Sequence, residues 1–291
     1  MHSYLRAIGF HDMNKKEIDK LVSDIVNHPD QFDIAKDSKN QDFAIYTKSF
    51  SDSFGIYVCG EYHKNESFRA EYYVPYFIGR EVTTYENVDI EKHIEKESYA
   101  GICDELKLGV TLIFYLQNIS EFLLEKKLKN QMYGISTTLS ALSLNGKILL
   151  PISKDERQVR KTEKNSQNRN HLIAAAREGD EDAIENLTLE DIDLYSMITK
   201  RVEREDVLSI VDTYFMPYGV ESDQYSILGI ILDCDTVINR LTGQKVYIMT
   251  IDCNDLVYDI CINSEDLLGE PSVGRRFKGN IWMQGYLNFK E

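Results

Sequence analysis

No run of this chain approaches the ~18 consecutive apolar residues that a membrane-spanning helix needs, and the opening MHSYLRAIGF has neither a cationic segment nor an apolar stretch of signal-peptide length. A cytoplasmic protein is therefore expected. Cysteine is sparse: Cys59, Cys103, Cys234, Cys253 and Cys261 are odd in number and form no CxxC pair, which indicates neither a disulfide framework nor a structural zinc site and leaves buried reduced thiols as the reading. Positive charge is in deficit, with 33 Lys and Arg against 48 Asp and Glu and a net charge of −15. That excess repels phosphate backbones and anionic lipid, which argues against nucleic-acid and membrane partners.

Chemical motifs are missing as well. Gly269-Glu-Pro-Ser-Val-Gly274 is neither a dinucleotide fingerprint nor a Walker loop, so no cofactor is indicated. Cys103 lies beside Asp104 and Glu105, the opposite of the electropositive setting a thiolate nucleophile requires. The carboxylates around Cys103, Cys234 and Cys253 fit no EF-hand spacing, so no metal site is expected.

What is present is a chain of 291 residues, 43% apolar, a length suited to about two domains. Asn14-Lys15-Lys16-Glu17 has the form of a capping box, and Ile18, Leu21, Val22, Ile25 and Val26 recur at helical spacing until Pro29, which predicts a helix over 15–28. After a polar loop, DFAIYTKSF, SFGIYVCGEYH and SFRAEYYVPYFIGREVTTY are rich in the aromatic and β-branched residues of an antiparallel sheet. LGVTLIFYLQN is apolar on both parities, as a central strand is, and Asn118 can cap a helix over FLLEKKL. Asn145-Gly146 between STTLSALSL and KILLPI predicts a two-residue hairpin turn.

The pattern changes at Ser153, where about 18 residues carry almost no apolar side chain and read as a polar linker or loop. Helical spacing resumes over 171–201, with Asp180 and Thr188 as N-cap candidates for two or three short helices, and the end of EDVLSIVDTYFMPYG favours extended chain. From Tyr225, four extended runs, a short helix signal in SEDLLG and a terminal YLNF suggest five strands with a helix between the third and fourth, the plan of an OB-like barrel. The fold class is α+β. The expected divisions are an N-terminal domain with an antiparallel sheet and helices over 1–152, a linker over 153–170, a short helical bridge over 171–215 and a small five-stranded OB-like β-barrel over 216–291.

Two faces are candidate sites. With a tight turn at Lys64-Asn65-Glu66, the hairpin places Glu61 opposite Arg69, Cys59 opposite Glu71 and Tyr57 opposite Tyr73, with His63 adjacent. Glu61, His63, Arg69 and Glu71 on one face suit acid–base work or an anionic group, and equally a solvated face with a cross-strand ion pair. In the fourth run, Phe277, Ile281 and Met283 share one parity, while Arg276, Lys278, Trp282 and Gln284 share the other. A tryptophan among cations suits stacking of a base or a peptide side chain, but the same indole also suits a seam, covered by the helices of 171–201 or by the first domain.

MHSYLRAIGF, GICDELKLGVTLIFYLQN and the stretch from DTYFMPYGV through DLLGEPSVGRRFKGNIW resemble a family of uncharacterised bacterial cytoplasmic proteins, a domain of unknown function. The resemblance spans most of the chain and carries over no activity. The leading expectation is a cytosolic, non-enzymatic binding or interaction protein with a small-molecule or protein partner. The alternatives are a small hydrolase or transferase working on the polar face of the first sheet, and single-stranded nucleic-acid binding through the barrel.

Overall fold

The structure, a computed structural model, describes the chain apart from residues 1, 12, 63–66, 95, 106, 107, 109, 129–135, 153–167, 170, 177, 203–205, 221, 290 and 291. The linker expected over 153–170 lies, except for Asn168 and Arg169, outside the described residues, as does His63. Among the described residues no helix is long and apolar enough to cross a membrane.

Four strands make the first sheet: β1 (Gln31–Lys36), β2 (Asp42–Ser49), β3 (Phe54–Tyr62) and β4 (Phe68–Phe77), antiparallel and in sequence order. Helix α1 (Lys15–Asn27) lies against β2 and β3 through Ile18, Leu21 and Ile25. Its start is fixed as the sequence predicts, because the Asn14 side chain accepts from the Glu17 amide and Glu17 reaches back to the Asn14 amide.

The hairpin register needs a correction. Glu61 does face Arg69 and Gly60 faces Ala70, but Cys59 then faces Tyr72, so Glu71 is an extra residue in a β-bulge. Gly60 allows it, since a Cβ there would meet the Arg69 carbonyl at 2.0 Å. Beyond the bulge every pair slips by one, Tyr57 faces Val74 instead of Tyr73, and Tyr72, Val74 and Tyr76 join Tyr57 and Cys59 on one face.

The second sheet has ten strands. It adds β5 (Val88–Lys92), β6 (Tyr99–Glu105), β7 (Val110–Leu116), β8 (Ser136–Leu149), β9 (Tyr214–Pro217), β10 (Gln224–Ile238), β11 (Lys245–Cys253), β12 (Leu256–Asn263), β13 (Leu267–Leu268) and β14 (Arg276–Asn288). Within it β10, β11, β12, β8 and β14 form a closed circuit, with β12 and β8 parallel and every other pair antiparallel. This is the five-stranded OB-like barrel, with a 3-10 turn at Ser264–Asp266 between β12 and β14.

Its fifth strand is not the expected one. YLNF is the continuation of β14, and β8 closes the barrel by pairing with β14 from Ser136 to Leu149. Asn145-Gly146 is therefore no hairpin turn, and β8 runs straight through it. The glycine serves a different purpose, because a Cβ at Gly146 would lie 2.4 Å from the Phe277 ring. The boundary expected at residue 152 thus falls within a sheet whose strands come from both sides of it.

The barrel interior is filled by Ile227, Met249, Ile260, Phe277, Ile281 and Met283 among others. Outside, Leu142, Ile248, Cys261 and Trp282 belong to a second core shared with the first sheet. A 3-10 turn, Ser3–Ile8, lies over β8 and β12. Its carbonyls are satisfied by barrel side chains, Asn239 donating to Ile8 at 2.7 Å and Asn263 to Arg6 at 3.3 Å.

Helix α2 (Ile119–Leu128) packs on β1. In the helical bridge, residues 171–176 are helical and α3 (Glu181–Val202) is a single helix. Asp180 caps it as expected, accepting from the Ala183 amide at 3.1 Å. Thr188 does not start a new helix, since its hydroxyl donates to the Ile184 carbonyl at 2.8 Å within α3.

Candidate ligand-binding site

The outward parity of Arg276, Lys278, Trp282 and Gln284 holds, but the four do not share an open surface. Arg276 is buried, and its guanidinium donates to the carbonyls of Leu150, Leu208 and Val211 at 2.9–3.0 Å. Burial pulls its pKa down, partly offset by Asp212. Gln284 is fully buried and works as a surrogate strand: it donates to the Pro75 carbonyl at 2.9 Å and accepts from the Phe77 amide at 3.0 Å, so the end of β4 is joined to the barrel. Gln117 extends the same network, donating to Gln284 at 2.8 Å and to the Phe77 carbonyl at 2.7 Å. Lys278 is half-buried, at the register of Lys147.

The face of Glu61 and Arg69 is likewise dispersed. Glu71 is exposed on the bulge, and its pKa is raised by burial of the carboxyl and then by the Glu61 charge, against the pull of Arg69 and Lys39. The geometry gives a cross-strand Glu61 and Arg69 pair with Glu71 out of step beside it.

Trp282 is different, because it sits in a seam lined by aromatic rings. It is 6% exposed, and its Nε1 donates to Asp223 at 2.7 Å. Its ring centroid lies 5.0 Å from that of His2, 5.1 Å from Tyr4 and 5.4 Å from Tyr115, all tilted. Among the described residues, the rings that cover it come from the first residues of the chain and from β7. Tyr73 accepts from the His2 amide at 3.3 Å and so fixes the entry of the chain into the seam.

Two polar groups here lack what their burial demands. His2 Nδ1 and the Tyr115 hydroxyl are both buried and neither makes a hydrogen bond of ordinary geometry. The polar neighbour of Tyr115 is Tyr72, whose hydroxyl donates to the Glu97 carbonyl at 2.7 Å and keeps its lone pairs to accept from Tyr115. Burial pushes the Tyr115, Tyr72 and Tyr57 phenols well above their ordinary pKa and the Cys59 thiol up to about 12. Tyr57 and Tyr72 are half-buried. His2 is lowered to about 4 by burial, then by Lys96 and the chain terminus, so its ring is neutral at pH 7.

What this seam offers chemically is flat apolar rings and a neutral imidazole, beside phenols and a thiol held uncharged. The sequence singles out Trp282 but not His2, Tyr4, Tyr72 or Tyr115, which are brought to it by β7, β4 and the first turn. Only the abundance of tyrosine, 18 residues, hints at them.

No curated protein and no solved structure matches the chain. A family model does, over residues 5–285, a span that takes in both sheets except the end of β14 and all of the aromatic seam except His2 and Tyr4. The chain belongs to the family described as domain of unknown function, E. rectale gene description (DUF3881).

Proposed function

We propose that this is a cytoplasmic, non-enzymatic binding protein that takes a small molecule in the aromatic seam around Trp282. The observation that carries the reading is His2 Nδ1, a buried ring nitrogen without a hydrogen bond, set against the one indole of the chain in a cluster of aromatic rings. Leaving such a group unsatisfied costs about 1–3 kcal/mol, and local rules are broken in this way most often where a site is kept for a ligand.

Binding of single-stranded nucleic acid through the barrel is the weaker reading. OB barrels bind on the outer face of their second and third strands, which here are β11 and β12. That face lies under the Ser3–Ile8 turn and under Arg80, whose guanidinium reaches Asp233, Asp235, Asp259 and Thr250.

Native mass spectrometry of the protein isolated gently from its cells tests the proposal. A small-molecule adduct is expected on the wild type, with lower occupancy on Tyr115→Phe. Absence of an adduct from both, with Trp282 emission unchanged when dialysed protein is returned to a small-molecule cell extract, would overturn it.

A further inference from the structure

Strand β1 is the outer strand of the first sheet and pairs on one edge only, with β2. Its other edge carries no strand among the described residues, a position that proteins usually guard with charge, proline or a covering element. Here the guard is partial. Phe32 and Ile34 share one face of β1 by alternation along the strand, and each is 45% exposed. The Phe32 ring meets Tyr46 at 4.8 Å, Tyr46 meets Phe68 at 4.7 Å and Phe68 meets Tyr62 at 5.6 Å, so an aromatic surface runs across the sheet from β1 to β4. The opposite face of β1 is acidic. Asp33 is half-buried there and accepts from Gln31 at 3.0 Å, while helix α2, packed on β1, brings the Glu121 charge to bear on it. Burial raises the Asp33 pKa against the pull of the Gln31 hydrogen bond, and Glu121 adds to the rise. Glu121 accepts from Tyr286 at 2.7 Å and from Asn118 at 2.8 Å, and among the described residues neither carboxylate is paired with a cation.

We infer that the open edge of β1 docks an extended peptide segment of another protein, which adds to the sheet as a further strand and alternates apolar residues with a lysine or arginine. Its apolar side chains lie beside Phe32 and Ile34, and the basic residue between them turns to the other face, toward Asp33 and Glu121. Charge selects this occupant, because a strand that sets apolar residues beside Phe32 and Ile34 must set the intervening one beside two carboxylates that lack a cation. Area and charge both disfavour a second copy of this chain. Phe32, Ile34 and the half-buried rings beside them expose an apolar area on the order of a few hundred Å², against about 800 Å² per partner in a stable interface. A two-fold pair of β1 strands also sets two Asp33 carboxylates on one face.

Calorimetry of the full chain tests this with three synthetic peptides blocked at both ends: Thr-Val-Lys-Val-Thr, Thr-Val-Glu-Val-Thr and Thr-Ser-Lys-Ser-Thr. Saturable binding of the first is expected, with about tenfold weaker binding of the second, since charge reversal replaces a modest attraction by a repulsion of similar size, and no measurable binding of the third. In the wild type the first peptide should slow hydrogen exchange at the amides of 31–36, a readout that needs no variant. Asp33→Asn should narrow the preference for Lys over Glu, and Phe32→Ser combined with Ile34→Ser, both at exposed positions, should abolish binding while the circular dichroism of the fold is unchanged. Failure of the first peptide to bind, equal binding of the Lys and Glu peptides, exchange protection outside β1, or binding that survives the double substitution in the folded protein overturns the proposal. A wild-type dimer in sedimentation that the double substitution dissociates gives β1 to a second copy and overturns it as well.

Discussion

The rings of Trp282 and Tyr115 meet at 5.4 Å and a tilt of 51°, although one comes from the last barrel strand and the other from the first half of the chain. Because Trp282 is the one tryptophan of the sequence, its emission reports this seam alone. It is expected to be blue-shifted and poorly quenched by acrylamide in the ligand-free protein. Trp282→Ala should cost about 3–5 kcal/mol in urea unfolding, from lost burial plus the cavity left between the sheets. Red-shifted, freely quenched emission with a loss within the noise of the measurement would mean that the indole is not covered.

Removing the Tyr115 hydroxyl should have the opposite sign. Its oxygen is buried, and its contact with the Tyr72 hydroxyl falls short of ordinary hydrogen-bond geometry, so Tyr115→Phe is expected to leave the free protein as stable as the wild type or more stable by about 1 kcal/mol. Thermal and urea unfolding check this. A loss of more than ~1 kcal/mol would show that the hydroxyl is a structural partner.

His2 should make the fold sensitive to mild acid. Its pKa falls from 6.5 in the unfolded chain to about 4 in the fold, chiefly through burial, with Lys96 and the chain terminus as the facing charges. Below pH 6.5 the unfolded chain takes up a proton that the native ring refuses. Stability from this residue is therefore full above that pH and declines as pH falls toward 4, by up to about 3 kcal/mol. The measurement is the difference between wild type and His2→Phe in urea unfolding across that range, and parallel pH profiles would refute the burial of a neutral ring.

The sequence shows local structure where one segment carries its own signal. The capping box at Asn14 and Glu17 fixes α1, and the strand parity of Phe277, Ile281 and Met283 correctly puts Trp282 outside the barrel. Failures come where distant residues decide. Asn145-Gly146 has the composition of a turn, yet its glycine answers to the Phe277 ring from far along the chain. The bulge at Glu71 depends on the absence of a side chain at Gly60 across the hairpin, so the pairing slips where periodicity alone gives no warning. The seam was half legible: Trp282 stands out as a lone aromatic among cations, while His2 and Tyr115 become site residues only when the first turn and β7 arrive beside it.

Arg80 is the tie between the loop after β4 and the barrel face. Its backbone amide and side chain donate to Asp259, whose carboxylate is 5% exposed, and Thr250 donates to the same carboxylate at 2.7 Å. Arg80→Ala leaves that carboxylate buried without its cation and should cost about 2 kcal/mol, less than a fully buried pair because the guanidinium is partly exposed. Adding Asp259→Asn should recover part of the loss in a double-mutant cycle. Additive costs would mean that the two residues are not coupled.

The most direct test of the central claim is the fluorine spectrum of the protein labelled with 5-fluorotryptophan, in which Trp282 gives one resonance. Returning a small-molecule extract of the cells to dialysed protein should move that resonance in the wild type and move it less in Tyr115→Phe. A resonance that stays in place on that addition, or that moves identically in both proteins, would contradict a ligand site at the Trp282 seam.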